Sequence, residues 1–153
     1  MNILIEDIEK DLEILIQEKQ ATITTDVLPI IYGIPVLIYQ LFYNLINNAL
    51  KFSKSNEASN ININHAQEMV EGELYLKITV TDNGIGFSNE YVDRMFDAFI
   101  RLNSKDKYEG TGLGLALCKK IVERHQGIIF ANGAKDSGAV FTILLLSSEM
   151  KLL

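Results

Sequence analysis

The chain reads as an α+β protein of one domain: a two-layer sandwich with a mixed, mostly antiparallel sheet of about five strands packed on three helices. Three observations carry that expectation. Helix-period and strand-period segments alternate along the chain, and each helical segment has an apolar stripe that must be buried against another layer. The strand segments alternate apolar and polar residues, the pattern of a sheet with one face on a core. The length, 153 residues, suits one domain able to bury a real core.

Residues 6–20, with Ile8, Leu12, Leu15 and Ile16 apolar among Glu and Lys, give the first amphipathic helix. "ATITTDV" follows as a strand broken at Pro29, and "IIYGIP" gives a short strand and a turn. Pro35 suits the first turn of a helix, so the second helix runs from Pro35 to about Phe52. "SKSNEASN" is a polar loop, and "NININ" and "LYLKITVTD" are two strands of period two. A polar insert, Gly84 to Glu109, precedes a third helix over Gly112–Arg124, with Gly127 where a C-terminal cap belongs. "GIIFAN" and "GAVFTILLL" close the chain as strands joined by the turn "GAKDSG".

Composition narrows the function classes. With 48% hydrophobic and 22% charged residues the chain is ordinarily globular, and its net charge of −6 argues against a nucleic-acid surface. An anionic ligand would need local positive groups. The single cysteine, Cys118, excludes an internal disulfide and fits a reducing compartment. No apolar run approaches the roughly 18 residues of a membrane span. The opening "MNILIED" reads as folded structure rather than a signal peptide, so a cytoplasmic domain without membrane contact is expected.

The second helix is unusual. Gln40, Asn44, Asn47, Asn48 and Lys51 share one arc, while Leu41, Phe42, Leu45, Ile46 and Ala49 cover the other. Asn is a poor helix former, and solvated faces are usually built from Glu and Lys. Carboxamides offer neutral oxygens to a hard cation that keeps most of its water, and Lys51 offers a point charge to phosphate. A plain solvated face is the alternative, which the helix alone does not exclude.

Two glycine clusters flank the insert, "DNGIG" at 82–86 and "GTGLGL" at 110–115. Asp82, at a strand end, can accept a hydrogen bond from an exocyclic amine, and Gly84 and Gly86 leave room for a flat ring. A tight turn explains Asn83-Gly84 but not Gly86. "GTGLGL" opens a helix whose first N–H groups suit phosphate oxygens. The patterns of a P-loop and of a dinucleotide-binding fold are both missing.

Taken in order, "NLINNALKFS" (44–53), "DNGIG" (82–86), "FDAFIR" (96–101) and "GTGLGL" (110–115) resemble the N, G1, F and G2 boxes of sensor histidine kinases. The resemblance is to their catalytic and ATP-binding domain, the Bergerat fold shared with gyrase-type and heat-shock chaperone ATPases, and it covers essentially all of residues 1–153. It implies ATP and Mg2+ as ligands. Asn48 matches the Mg2+-coordinating asparagine, with Asn44 one turn earlier on the phosphate side. Lys51 matches the phosphate-contacting lysine and Phe52 the aromatic beside adenine. Asp82 matches the acceptor of the adenine amine and Gly86 the glycine against the ring, with Gly84 and Ile85 in the same box. Phe96 and Phe99 resemble the aromatics that anchor an ATP lid over 87–109, and Arg101 matches a lid arginine that meets the terminal phosphate. Gly110, Gly112 and Gly114 match the hinge and helix-start glycines, with Thr111 and Leu113 between them.

Asn44 bears on mechanism. The hydrolysing relatives carry a glutamate there as general base, and a carboxamide cannot take a proton at neutral pH. Phosphotransfer is therefore favoured over hydrolysis, with Asn44, Lys51 and Arg101 as the catalytic set. His125 reads as structural at a helix end, His65 has no acid partner, and neither has the acidic neighbour of the family's phosphoacceptor. Cys118 reads as core. The resemblance then implies two partners outside this stretch, a dimerisation and phosphoacceptor helix hairpin and a response-regulator receiver domain, and no nucleic acid. The isolated domain is expected to be monomeric. The alternatives are an anti-sigma-type serine kinase, which tends to have an acidic residue in place of Asn44, and a nucleotide-binding scaffold without catalysis.

Overall fold

The computed structural model describes residues 1–98 and 112–147. Two short helices, α1 (Asn2–Asp11) and α2 (Glu13–Glu18), meet at Leu12 and are followed by strand β1 (Thr22–Thr25). Helix α3 (Pro35–Lys51) leads into a long hairpin of β2 (Asn60–Val70) and β3 (Glu73–Asp82). A short 3-10 turn at Asn89–Tyr91, helix α4 (Gly114–Arg124) and strands β4 (Ile128–Gly133) and β5 (Ala139–Leu146) complete the described residues. The sheet order is β1-β2-β3-β5-β4, with β1 parallel to β2 and the other pairs antiparallel. This is the expected mixed, mostly antiparallel five-stranded sheet.

One layer of helices covers one face. Leu41, Phe42, Leu45 and Ile46 of α3 are buried with Ile61 and Ile63 of β2, Leu76, Ile78 and Val80 of β3, and Phe141, Ile143 and Leu145 of β5. The alternate positions of β2 and β3 stay on the open side, as a period of two requires. Among the described residues, no helix is long and apolar enough to cross a membrane.

The structure corrects several local expectations. The first helix starts at Asn2, not at residue 6, because the Asn2 side chain is tied at both ends. Its Nδ2 donates to Asp26 O at 2.8 Å, and its Oδ1 accepts from Leu28 N at 2.9 Å. The bend at Leu12 keeps the helical bonds Leu12 N to Ile8 O and Ile16 N to Leu12 O, so three helical units still pack on the sheet. "IIYGIP" forms no strand. Ile30, Tyr32 and Ile34 are exposed, and Ile34 N donates instead to His125 Nε2 at 3.1 Å.

The β2 strand extends well past "NININ". Beyond Ile63 it has no strand neighbour on its β1 side among the described residues, and His65 to Gln67 are exposed there. Glu71 and Gly72, both at positive φ (51 and 85), close the hairpin as a two-residue turn. Helix α4 starts at Gly114 because Gly112 has φ 74, outside helical space. At its other end the left-handed residue is Gln126 (φ 55), and Gly127 N bonds Val122 O at 2.9 Å. A Cβ on Gly127 would stand 2.5 Å from Leu144 O, so close approach to β5 is what requires that glycine.

His125 is buried and serves the fold. Its Nδ1 lies 2.7 Å from Ile121 O and its Nε2 accepts from Ile34 N, so a neutral ring with the proton on Nδ1 satisfies both atoms. His125→Leu removes that acceptor, and urea unfolding is expected to show a loss of roughly 1–3 kcal/mol. Nucleotide affinity should stay within about twofold, because the start of α4 lies roughly 15 Å away at 1.5 Å per residue.

Candidate functional site

Helix α3 is the spine of the site. Its core face is set by Leu41, Phe42, Leu45 and Ile46, which leaves Asn44, Asn47, Asn48 and Lys51 half-buried on the opposite arc. Asn44 Nδ2 donates to Gln40 O at 2.9 Å. That bond uses a donor within the helix and directs Oδ1 outward. Across from it is the start of α4, where a Cβ on Gly114 would lie 3.5 Å from Asn44 Oδ1. Further along, Lys51 Nζ stands 5.3 Å from the centroid of the Phe52 ring.

The end of β3 meets the end of α3. Asp82 is half-buried, and its Oδ1 accepts from Gly84 N at 2.8 Å. Burial pushes the Asp82 carboxyl above its ordinary value, against the opposing pull of hydrogen bonds from the Gly84 and Ala139 backbones. Ile85 N then donates to Phe52 O at 3.0 Å, and Asp136 N donates to Ile85 O at 2.7 Å. A partly desolvated carboxylate is thereby fixed beside the main chain at the end of α3, an acceptor suited to a base carrying an amine.

The glycines divide into two groups. A Cβ on Gly84 would stand 2.5 Å from Phe52 O, and one on Gly86 would stand 1.9 Å from Ala134 O. Both are required by the protein's own backbone contacts, a reason that the open-ring reading of the sequence did not include. Gly114 differs. Its nearest neighbour is at ordinary van der Waals distance, so the fold itself does not demand a glycine there. The α4 N-cap, Leu113, supplies no capping side chain either. A helix start with no side-chain cap and no Cβ at its first residue suits an anion that approaches closely.

The described first half of the insert lies on the sheet. Phe87 and Met95 are buried, and the Phe96 ring meets Phe141 edge-on at 6.3 Å. Phe99, Arg101, Gly110 and Thr111 lie outside the described residues. Asn44, Asn48, Lys51, Phe52, Asp82, Gly84, Ile85, Gly86, Gly112, Leu113 and Gly114 fall on three stretches: α3 with its C-cap, the end of β3 with the segment after it, and the start of α4. Asn83, absent from the sequence-based set, bridges with its side chain to Ala58 and Asn60. Its place in an Asn-Gly step conceals that role.

The remaining reactive side chains are spoken for. Asp26 does lie beside His65, but its Oδ2 accepts from the His65 main-chain N–H. Cys118 is buried on α4, and burial pushes its thiol up to about 12, which makes it inert. Among the described residues, no group of three His, Cys, Asp or Glu side chains could hold a metal ion. A hard cation here would depend on the amide oxygens of α3, on phosphate and on water.

Comparison with known proteins agrees with this fold. Residues 33–149 match the family model described as histidine kinase-, DNA gyrase B-, and HSP90-like ATPase. Cyanobacterial phytochrome A of a Nostoc species is 45% identical over 126 residues, 82% of this chain and 16% of that protein. The adaptive-response sensory kinase SasA of Rippkaea orientalis is 31% identical over 146 residues, 94% of this chain and 36% of that protein. The chain therefore spans well under half the length of these curated relatives. Among solved structures, the mycobacterial sensor histidine kinase MprB superposes with a TM-score of 0.74 at 23% identity, over 92% of this chain and 93% of that one, a likeness of fold. The chain belongs to the family of histidine kinase-, DNA gyrase B- and HSP90-like ATPases, and within it is a catalytic, ATP-binding domain of the sensor-histidine-kinase type.

Proposed function

We propose that this domain binds Mg-ATP across α3, the end of β3 and the start of α4, and passes the γ-phosphoryl group to a histidine on a separate helix hairpin of a longer kinase. The observation that carries this reading is Asn44. Its carboxamide is held by Gln40 O with the oxygen toward the start of α4, where phosphates would sit. An amide in that place can position a phosphate or a metal-bound water, but it cannot take a proton from an attacking water. Hydrolysis is thereby suppressed, and the phosphoryl group is kept for a better nucleophile.

Each residue has a task in that scheme. Asp82 accepts from the adenine amine, and Phe52 flanks the ring. The amide oxygen of Asn48 would hold Mg2+, which would supply charge neutralisation on the phosphates, with Asn44 lining the phosphate side. Lys51 and the start of α4 bind phosphate oxygens, and Arg101 stabilises charge on the moving group. In the transfer, the bond from Pγ to the ADP oxygen breaks and ADP leaves with its electron pair. A P–N bond forms to the imidazole, whose N–H proton passes to solvent. Residues 87–109 would close over the nucleotide as a lid. The hairpin and a receiver domain are the partners, the compartment is the cytoplasm, and the isolated domain is a monomer.

The test is radiolabel transfer. With [γ-32P]ATP alone, the domain should neither label itself nor release phosphate rapidly. With a supplied histidine-bearing hairpin, label should move to the hairpin and be acid-labile and base-stable, as a phosphoramidate is. Acid-stable label on a serine would move the domain to the anti-sigma class, and rapid phosphate release would move it to the hydrolysing ATPases.

A further inference from the structure

We infer that Asn83 is a positioning residue for recognition of the adenine amine, acting through Asp82; this rests on the nucleotide-binding reading above. The last backbone rung between β2 and β3 pairs Ile61 with Asp82. The next rung would pair Asn60 with the backbone of Asn83. The Asn83 side chain makes it instead: Oδ1 accepts from Asn60 N at 2.7 Å, and Nδ2 donates to Ala58 O at 3.0 Å. A carboxamide offers the same donor and acceptor as a peptide group, so the ladder continues for one rung while the main chain leaves it.

The released main chain turns at once. Gly84 N comes back to Asp82 Oδ1, and Ile85 N reaches Phe52 O. The segment that Asn83 grips is itself anchored from the other side, with Ser59 N bonded to Lys19 O at 3.3 Å and Thr22 N to Ser59 O at 2.9 Å. Asn83 thus pulls against a fixed point. Without its amide, the backbone of residue 83 can take the vacant rung. Gly84 N then moves off Asp82, and the carboxylate keeps the Ala139 bond but loses the second one that fixes its direction.

The experiment compares ATP with purine riboside triphosphate, which lacks only the 6-amino group. Wild type should prefer ATP by about tenfold or more, the worth of a charge-assisted hydrogen bond. Asn83→Ala should cut that preference by roughly fivefold while changing affinity for the analogue by less than about twofold. Asn83→Ser, whose hydroxyl is too short to span Asn60 N and Ala58 O and which adds no charge, gives the same readout if the alanine variant does not fold. In an Asp82→Asn background, adding Asn83→Ala should not change the preference further. Equal weakening of both nucleotides would overturn the inference in favour of a general scaffold role, and an unchanged preference would also overturn it. A wild type without preference would overturn the adenine reading and the inference together.

Discussion

Asp82→Asn is expected to weaken ATP binding by roughly ten- to a hundredfold, the cost of losing a partly buried charged acceptor. The same change should alter how stability depends on pH. Burial holds the folded-state carboxyl above its ordinary value of 3.8, so the folded protein binds the proton more tightly than the unfolded chain. The stability linked to that proton is fully present below the ordinary value and is lost as pH rises through the raised one. At neutral pH the burial cost is fully in force, and the asparagine variant lacks it. Wild type should therefore gain stability relative to Asp82→Asn as pH falls from neutral toward about 4. Calorimetric titration with ATP and urea unfolding at several pH values test the two halves separately. Equal ATP affinity would remove Asp82 from the base site, and a stability difference that ignores pH would contradict its burial as a charge.

Gly86→Ala is expected to cost roughly 3–4 kcal/mol of folding stability, a large share of the 5–15 kcal/mol typical of a domain. Gly86 sits at φ 63, where a side chain is strained. The added Cβ would stand 1.9 Å from Ala134 O and 2.8 Å from Gly138 O. Both are backbone atoms of the turn between β4 and β5, so the clash cannot be relieved by rotating a side chain. The melting temperature should drop by roughly 10 °C for a chain of this size. Gly72→Ala is the matched control. Its φ is 85, yet a Cβ there meets nothing within 4 Å, so only the backbone strain of about 1–2 kcal/mol remains. Equal melting of the two variants would show that the contact with residues 134–138 is not rigid.

Whatever depends on local period and on side-chain chemistry is legible in the residues alone. The helix from Pro35, the strand ending at Asp82 and the strand before Leu146 are legible because each buries one face, and burial writes a period into the residues. The carboxamides of α3 are legible as a site because a solvated face is usually built from Glu and Lys, and Asp82 because it stands at a strand end beside two glycines. Tertiary structure alone decided the rest. "IIYGIP" is apolar enough for a strand but lies where no neighbour pairs with it, and the contact that holds it, His125, is far along the chain. The second half of β2 shows no clear period because β1 ends opposite Ile63 and leaves it an edge. Gly86 is a glycine because Ala134 O lies against it, while Asn83 takes a rung of the ladder that its own backbone vacates. Each of these is set by a contact between residues distant in sequence. Such a contact constrains single residues and leaves no period for the sequence to display.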